Sequence, residues 1–314
     1  MSTDYFNSHL PFLRKFEPSF LQRLAINILS SGVLPKHVTI ILDGNRRWAR
    51  QRGLPTIEGH KRAINTLAEA FSWIRFFNIP EVTAYVFSIE NLKRPREEVD
   101  GLMNFGLKLL KKLSKELDDF HTCGIRFRVF GNYELIPPKM RSYASKIELA
   151  TKNNSRVTLN FAFFYTSTDE ISCAANKLKD GVENDYIKIS DIDEYSLEKC
   201  FFTGDGHTPD YLLRTSGEQR LSDFFLWQLA DKPLLFHSIN WPDFSFYHFC
   251  GSLFLYNYFT QNAKEIKTYN SIQVENESDA ERSERISNFI ENVRKQHFDQ
   301  LQMYASEFED PTFE

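Results

Sequence analysis

Six short apolar runs, rich in β-branched and aromatic residues, punctuate the chain: Val38–Leu42, Val82–Phe87, Ile125–Phe130, Val157–Phe161, Tyr211–Arg214 and Leu234–His237. Between them the apolar residues recur at three- and four-residue steps, which predicts helices over Gly59–Phe77, Pro95–His121, Pro138–Lys152 and Ser167–Lys179. Gly124, just beyond the second of these, reads as a helix stop. Strands alternating with helices require right-handed crossovers. The expected fold class is therefore α/β, a mostly parallel six-stranded central sheet flanked by helices, with a C-terminal helical extension.

The flanks carry a different pattern. Pro18–Ser30 places Phe20, Leu21, Leu24, Ala25, Ile28 and Leu29 on one helical face, with Gln22, Arg23 and Asn27 elsewhere. That face suits either packing on the domain or contact with a membrane or an apolar substrate. Gly181, Asn184 and the acidic stretch Asp185–Glu194 read as a surface connector. Residues 244–259 are densely aromatic and predict a helix buried against an apolar surface. After a polar break near 268–281, residues 282–305 form an amphipathic helix striped with Ile286, Phe289, Ile290, Val293, Phe298 and Leu301. It either docks on its own domain or serves a partner subunit. The expected organisation is an N-terminal segment 1–34, a body 35–262 and an extension 263–314.

Composition removes several classes of function. A formal net charge of −4 over 314 residues argues against a general nucleic-acid binder. Cys123, Cys173, Cys200 and Cys250 form no CxxC pair, so they fit neither a zinc site nor a secreted disulfide scaffold and read as inert thiols. There is no apolar run long enough for a transmembrane helix, and the first residues lack the apolar core of a signal peptide. Neither a GxxxxGKS loop nor a GxGxxG turn is present, which disfavours the usual nucleotide sites. The absence of GxSxG and HExxH disfavours a serine hydrolase or zinc peptidase.

Ligands of open parallel sheets bind beyond the carboxyl ends of the strands. Here the first strand runs into Asp43-Gly44-Asn45-Arg46-Arg47 and Trp48, with His60 near the start of the next helix. The second ends in Phe87-Ser88-Ile89-Glu90-Asn91, followed by Arg94 and Glu98. The fifth ends in Arg214-Thr215-Ser216-Gly217-Glu218, with Arg220 and Ser222 beyond. Singly, each has a simpler use: Asp43 as a helix cap, Arg94 and Arg96 as partners of Glu97 or Glu98, His60 as a packing residue. Together they bring arginines, hydroxyls and carboxylates to one edge. Planar guanidinium forks suit phosphate oxygens, and several could hold two diphosphates.

The stretches HVTIILDGNRRWA with Gly59-His60, YVFSIENLKRPREEV, and RTSGEQRLSDFFLWQ followed by WPDF resemble the cis-prenyltransferases over roughly residues 35–250. FSIEN and RTSGE-x-RLSDF look more like the eukaryotic dehydrodolichyl diphosphate synthase branch than the bacterial undecaprenyl one. The resemblance implies condensation of isopentenyl diphosphate in cis onto farnesyl diphosphate, for dolichol synthesis and protein glycosylation. It implies that Asp43 holds Mg²⁺ against the allylic diphosphate. Gly44, Asn45, Arg46, Arg47 and His60 would cradle that diphosphate, and Arg214, Arg220 and Ser222 would take the isopentenyl diphosphate. Ser88, Asn91 and Arg94 would orient the reacting unit and assist proton loss, with Trp48, Glu98, Phe87 and Glu90 in support. It also implies peripheral attachment to the cytosolic face of the endoplasmic reticulum, with the lipid droplet as a second surface.

Three departures from the family pattern follow. Thr56 stands where bacterial members carry a phosphate-binding arginine, and Pro233 where they carry a metal-binding glutamate. No glycine follows Gly251, so the Arg-x-Gly motif that single-subunit members reach across the dimer is missing. The expectation is that a second subunit, similar to the Nogo-B receptor, supplies it. A non-catalytic role within the same complex is the competing expectation.

Overall fold

The computed structural model describes residues 16–262 and 279–308. Strands β1 (His37–Ile41), β2 (Glu81–Ser88), β3 (Ile125–Phe130), β4 (Val157–Tyr165), β5 (Tyr211–Arg214) and β6 (Leu234–Phe236) form one sheet in the order β3-β4-β2-β1-β5-β6. Every neighbouring pair is parallel. Covered on both faces, the strands are buried almost throughout, which is why they read as unbroken apolar runs. The chain leaves β1 toward β2 on one side and returns through β5 on the other. That reversal opens a crevice at the carboxyl ends of β1, β2 and β5.

The helices are α1 (Phe20–Ser30), α2 (Asn45–Gln51), α3 (Thr56–Phe76), α4 (Arg96–Leu113), α5 (Leu117–Cys123), α6 (Pro138–Thr151), α7 (Ser167–Glu183), α8 (Glu194–Lys199), α9 (Phe246–Asn262) and α10 (Asp279–Ser306). The largest apolar cluster joins the sheet to α3, the end of α4, α6 and α9. A smaller one on the other face holds Tyr85, Tyr165, Phe224 and Phe225, and a third joins α7 and α8 to α10.

Several expectations change. The single helix expected over Pro95–His121 is two, α4 and α5, broken at Ser114–Glu116. Gly124 does close α5, at φ 64°. The α1 face divides: Ile26 and Leu29 are buried, whereas Phe20 (81 % exposed), Leu21, Leu24 and Ile28 (63 %) face outward. One narrow stripe suffices to dock α1 on α9, where Val33 N–H also donates to Asn257 Oδ1 at 3.2 Å. The aromatic helix is buried through Phe246, Phe249, Ser252, Leu253 and Tyr256, and leaves Phe254, Tyr258 and Phe259 exposed. α10 packs on its own domain rather than standing free for a partner, against α6 and α8. Arg285 pairs with the fully buried Asp191 at 2.7 Å, and Arg294 with Asp205 at 2.6 Å. Of the expected polar break, residues 268–278 lie outside the described residues, and 279–281 begin α10.

At the amino ends of the strands lies a buried polar knot. His37 contacts the His207 carbonyl oxygen through Nδ1 at 2.5 Å and Thr83 Oγ1 through Nε2 at 2.7 Å. Glu81 accepts from Asn160 at 2.7 Å and from the His207 backbone at 2.8 Å. Burial lowers the pKa of His37 despite the nearby Glu81 carboxylate, so folding favours its neutral form. The unfolded chain's histidine binds a proton near pH 6.5, as an exposed imidazole does. Below that pH the unfolded state therefore gains protons that folded His37 refuses, and stability falls by up to ~1.4 kcal/mol per pH unit from this residue. Urea unfolding midpoints should decline steadily from pH 7 to 5, and His37→Gln should flatten the slope over that window.

Candidate active site

Asp43 stands in the turn between β1 and α2, with Gly44 capping α2 at φ 99°. A Cβ on Gly44 would lie 2.5 Å from Asn240 Oδ1, so the turn needs glycine for space as well as for conformation. Asp43 is tied to β5 at both levels. Its backbone N–H donates to Thr215 Oγ1 at 3.1 Å and its carbonyl accepts from the same hydroxyl at 2.8 Å. Its carboxylate accepts from Gly44 N–H through Oδ1 and from Arg214 Nη2 through Oδ2, both at 2.7 Å. Asp43 is therefore more than a cap.

Arg214 is 3 % exposed. Its other fork reaches the Arg220 carbonyl and Ser222 Oγ (2.9 Å), so one guanidinium ties Asp43 to the loop that carries Arg220 and Ser222. Tyr85 holds that loop from below, its hydroxyl donating to the Ser222 carbonyl at 3.2 Å. Ser216, Gly217, Ser222, Asp223 and Phe225 all have positive φ, between 49° and 77°. Such a concentration of left-handed backbone is strained and needs surrounding contacts to persist.

The other basic groups converge on the same crevice. Glu98 bridges Arg94 (3.1 Å) and Arg46 (3.7 Å). Arg94 therefore does pair with Glu98, but at the crevice rather than on a solvated helix face. Glu218 bridges Arg47 and Arg220, and Arg47 also donates to the Ser216 carbonyl at 2.8 Å. His60 lies on α3 next to Gly59, where a Cβ would stand 2.1 Å from the Asn45 carbonyl oxygen. Glycine there lets α3 close on the turn. Burial first, and then Arg94 and Arg46, push the His60 pKa down to about 4. At neutral pH it is an uncharged imidazole, not the cation a charge cradle would suggest. Asn45 Oδ1, His60 Nε2 and Arg214 Nε are all sealed from solvent without a hydrogen-bond partner.

Ser88 and Asn91 form one capped turn at the end of β2, Ser88 N–H donating to Asn91 Oδ1 at 3.2 Å. Trp48 donates through Nε1 to Asp243 of the WPDF stretch at 2.8 Å, and Arg52 pairs with the same carboxylate. Two residues expected in support make contacts elsewhere. Phe87 packs in the core against Phe163 and Phe164, and Glu90 points outward to Lys93. A bulge between Tyr85 and Phe87 turns Phe87 to the face of Ala84, opposite Tyr85, and the exposed turn accounts for Glu90. Thr56 begins α3, and Pro233 offers only its carbonyl, to Leu212 N–H at 3.0 Å. Tyr85, Asn240 and Asp243 were missed as organisers of the site. For Asp243 the WPDF stretch was the available signal.

Among the described residues no group of three or more His, Cys, Asp or Glu side chains could cage a metal. Asp43 keeps free lone pairs beyond its two hydrogen bonds, and Asn45 Oδ1 is unpaired. One carboxylate with phosphate oxygens is a donor set that suits Mg²⁺. The residues present fit an ion that arrives with a diphosphate. The four cysteines are unpaired, and burial pushes the Cys200 and Cys250 thiols up to about 11.

The undecaprenyl diphosphate synthase family model matches residues 41–264. The dehydrodolichyl diphosphate synthase complex subunit of Homo sapiens is 40% identical over 239 residues, 76% of this chain and 72% of that protein. The Schizosaccharomyces pombe complex subunit of the same name is 38% identical over 77% of this chain and 92% of its own length. A tritrans,polycis-undecaprenyl-diphosphate synthase (geranylgeranyl-diphosphate specific) of Thermococcus kodakarensis is 37% identical over 76% of this chain and 90% of its own. Lavandulyl diphosphate synthase from Lavandula x intermedia, solved with dimethylallyl diphosphate, superposes with a TM-score of 0.67 at 31% identity, covering 71% of this chain and 95% of that one. With the all-parallel sheet and the arginine-lined crevice at its switch point, these matches make the chain a member of the undecaprenyl diphosphate synthase-like family of cis-prenyltransferases.

Proposed function

We propose that this chain is the catalytic subunit of a dehydrodolichyl diphosphate synthase, adding isopentenyl units in cis to farnesyl diphosphate to make the long polyprenyl diphosphate used for dolichol and protein glycosylation. One observation carries the reading. Asp43, Arg214 and Ser222 form a continuous hydrogen-bonded chain, ringed by Arg46, Arg47, Arg94 and Arg220 and by unpaired buried polar atoms. A subunit that only bound a partner would have no use for it.

The chemistry follows from charge. Breaking the allylic C–O bond puts negative charge on the departing diphosphate, which Arg46, Arg47 and the neutral His60 are placed to receive. Arg214, Arg220 and Ser222 hold the second diphosphate, so the isopentenyl double bond faces the allylic carbon. A C–C bond forms, a proton leaves, and Ser88 and Asn91 offer the nearby polar groups that steer that loss. Asp43 would hold Mg²⁺, which when bound would neutralise charge on the leaving group. Beyond Glu98, α4 continues with Val99, Leu102, Met103 and Leu107, which are only half-covered, whereas its last turn is buried. That half-open apolar line is a path for a growing chain.

With farnesyl and radiolabelled isopentenyl diphosphate, Asp43→Asn should lower turnover by about 10²–10³-fold. Turnover unchanged in the folded variant would assign catalysis to another chain. Running geranylgeranyl diphosphate in parallel tests the farnesyl preference, because the Thermococcus relative is named for the longer primer.

A partner subunit, similar to the Nogo-B receptor, completes the isopentenyl diphosphate site. The human and S. pombe relatives are named complex subunits, and Arg282, Arg285 and Arg294 are all engaged within this chain. Product analysis should give long chains at full rate only for the co-expressed pair. Equal synthesis by the purified chain alone would refute this.

The enzyme works peripherally on the cytosolic face of the endoplasmic reticulum, or on a lipid droplet. α1 carries a single charged side chain, Arg23, and α9 carries none, while both expose large apolar residues. Neutral phosphatidylcholine vesicles should co-float with the chain. The triple change Leu21→Glu, Leu24→Glu and Ile28→Glu should abolish flotation without moving the unfolding temperature.

A further inference from the structure

Five of the arginines in the crevice are matched by three carboxylates, and the three are not equivalent. Asp43 faces the buried Arg214, and Glu98 is fixed on the first turn of α4. Glu218 is held differently. It follows two consecutive left-handed residues, Ser216 (φ 77°) and Gly217 (φ 73°), whose N–H groups donate to the Ile239 and His237 carbonyls at 2.7 and 2.8 Å. That anchored turn lifts Glu218 over the mouth of the site. There Oε1 accepts from Arg47 Nη2 at 2.9 Å, and Oε2 accepts from Arg220 Nη1.

The two arginines come from different sides. Arg47 belongs to α2, after β1, and Arg220 to the loop after β5. A carboxylate that gives one oxygen to each of two converging guanidiniums imitates a phosphate bridging them. The contacts from Arg47 and then the charge of Arg220 hold the Glu218 carboxyl below its ordinary range, so it is ionised at neutral pH. Both arginines are about half exposed or more, and are reachable by an incoming anion.

We infer that Glu218 is an internal competitor of the substrate diphosphates, a positioning residue that occupies the arginine fork when the site is empty. The inference rests on the proposed reading of Arg47 and Arg220 as diphosphate ligands. An arriving diphosphate displaces the carboxylate from the fork. As pyrophosphate leaves, the carboxylate returns, so the guanidiniums exchange one anion for another and are never left bare. Repeated condensation needs such exchange, because every added unit releases one pyrophosphate from a site built to hold polyanions.

The test is calorimetric titration of inorganic pyrophosphate into the full-length chain, or its purified complex, as wild type, Glu218→Gln and Glu218→Asp. Losing two exposed ion pairs of ordinary strength should tighten binding about fivefold in Glu218→Gln, with Glu218→Asp close to wild type. Steady-state assays should show KM for isopentenyl diphosphate and kcat falling together in Glu218→Gln, because release slows. A residue that merely props the arginines would weaken binding when neutralised, so unchanged or weaker pyrophosphate affinity in Glu218→Gln overturns the inference. Arg214→Gln tests the underlying site separately. Wild-type binding lost in that variant supports the diphosphate reading whatever Glu218 does, and a wild type that binds no pyrophosphate overturns both.

Discussion

The Asp43–Arg214 pair is the constraint on which the rest of the crevice depends. A guanidinium 3 % exposed at the end of a central strand cannot remain unpaired, because removing a charge from water costs several kcal/mol that only a close counter-ion offsets. Asp43 is that counter-ion, and its own backbone is fixed by Thr215 and by Trp241 N–H, which donates to its carbonyl at 2.9 Å. From Arg214 the constraint passes to Ser222 and the Arg220 carbonyl, and so to a loop of left-handed backbone that has little regular structure of its own. The ends of two adjacent strands and the segments after them are thereby set as one unit.

Around that unit the charges are arranged in small bridged groups. Glu98 takes Arg46 and Arg94, and Glu218 takes Arg47 and Arg220. In the empty site these carboxylates offset the mutual repulsion of the guanidiniums, while most of the basic groups stay partly open to solvent. His60 contributes without charge, because burial beside two arginines keeps its imidazole neutral.

Much of this was legible in the sequence, for identifiable reasons. The strands are doubly covered, so Val38–Leu42 or Ile125–Phe130 appear as plain apolar runs whose carboxyl ends can be read directly. The residues after β1, β2 and β5 then had to meet once the sheet was parallel. The break at Ser114–Glu116 was hidden because the apolar rhythm continues across it. The side taken by Phe87 was hidden as well, because register shifts at the end of β2 break the pleat's alternation and send it to the core on the face opposite Tyr85. Pairings such as Arg47 with Glu218 join residues 171 apart, and no local pattern encodes them. The docking of α10 was equally hidden, since its stripe fits a foreign surface as well as its own.

That docked helix has a consequence for how the domain is closed. α10 is held by Arg285 on Asp191, by Arg294 on Asp205, by Tyr304 on Glu134 and by a facing pair of His297 and the buried Glu148. It also seals the apolar cluster of α7 and α8 through Ile286, Phe289 and Ile290. A helix fastened this way is part of the folded body, because removing it would leave Asp191 and Glu148 in the interior without their charged partners. Glu148 also accepts from Val129 N–H of β3 at 3.0 Å, so one buried carboxylate joins α10 to the sheet. This helix thus closes the α7–α8 cluster and completes an interior that the strands and earlier helices leave open.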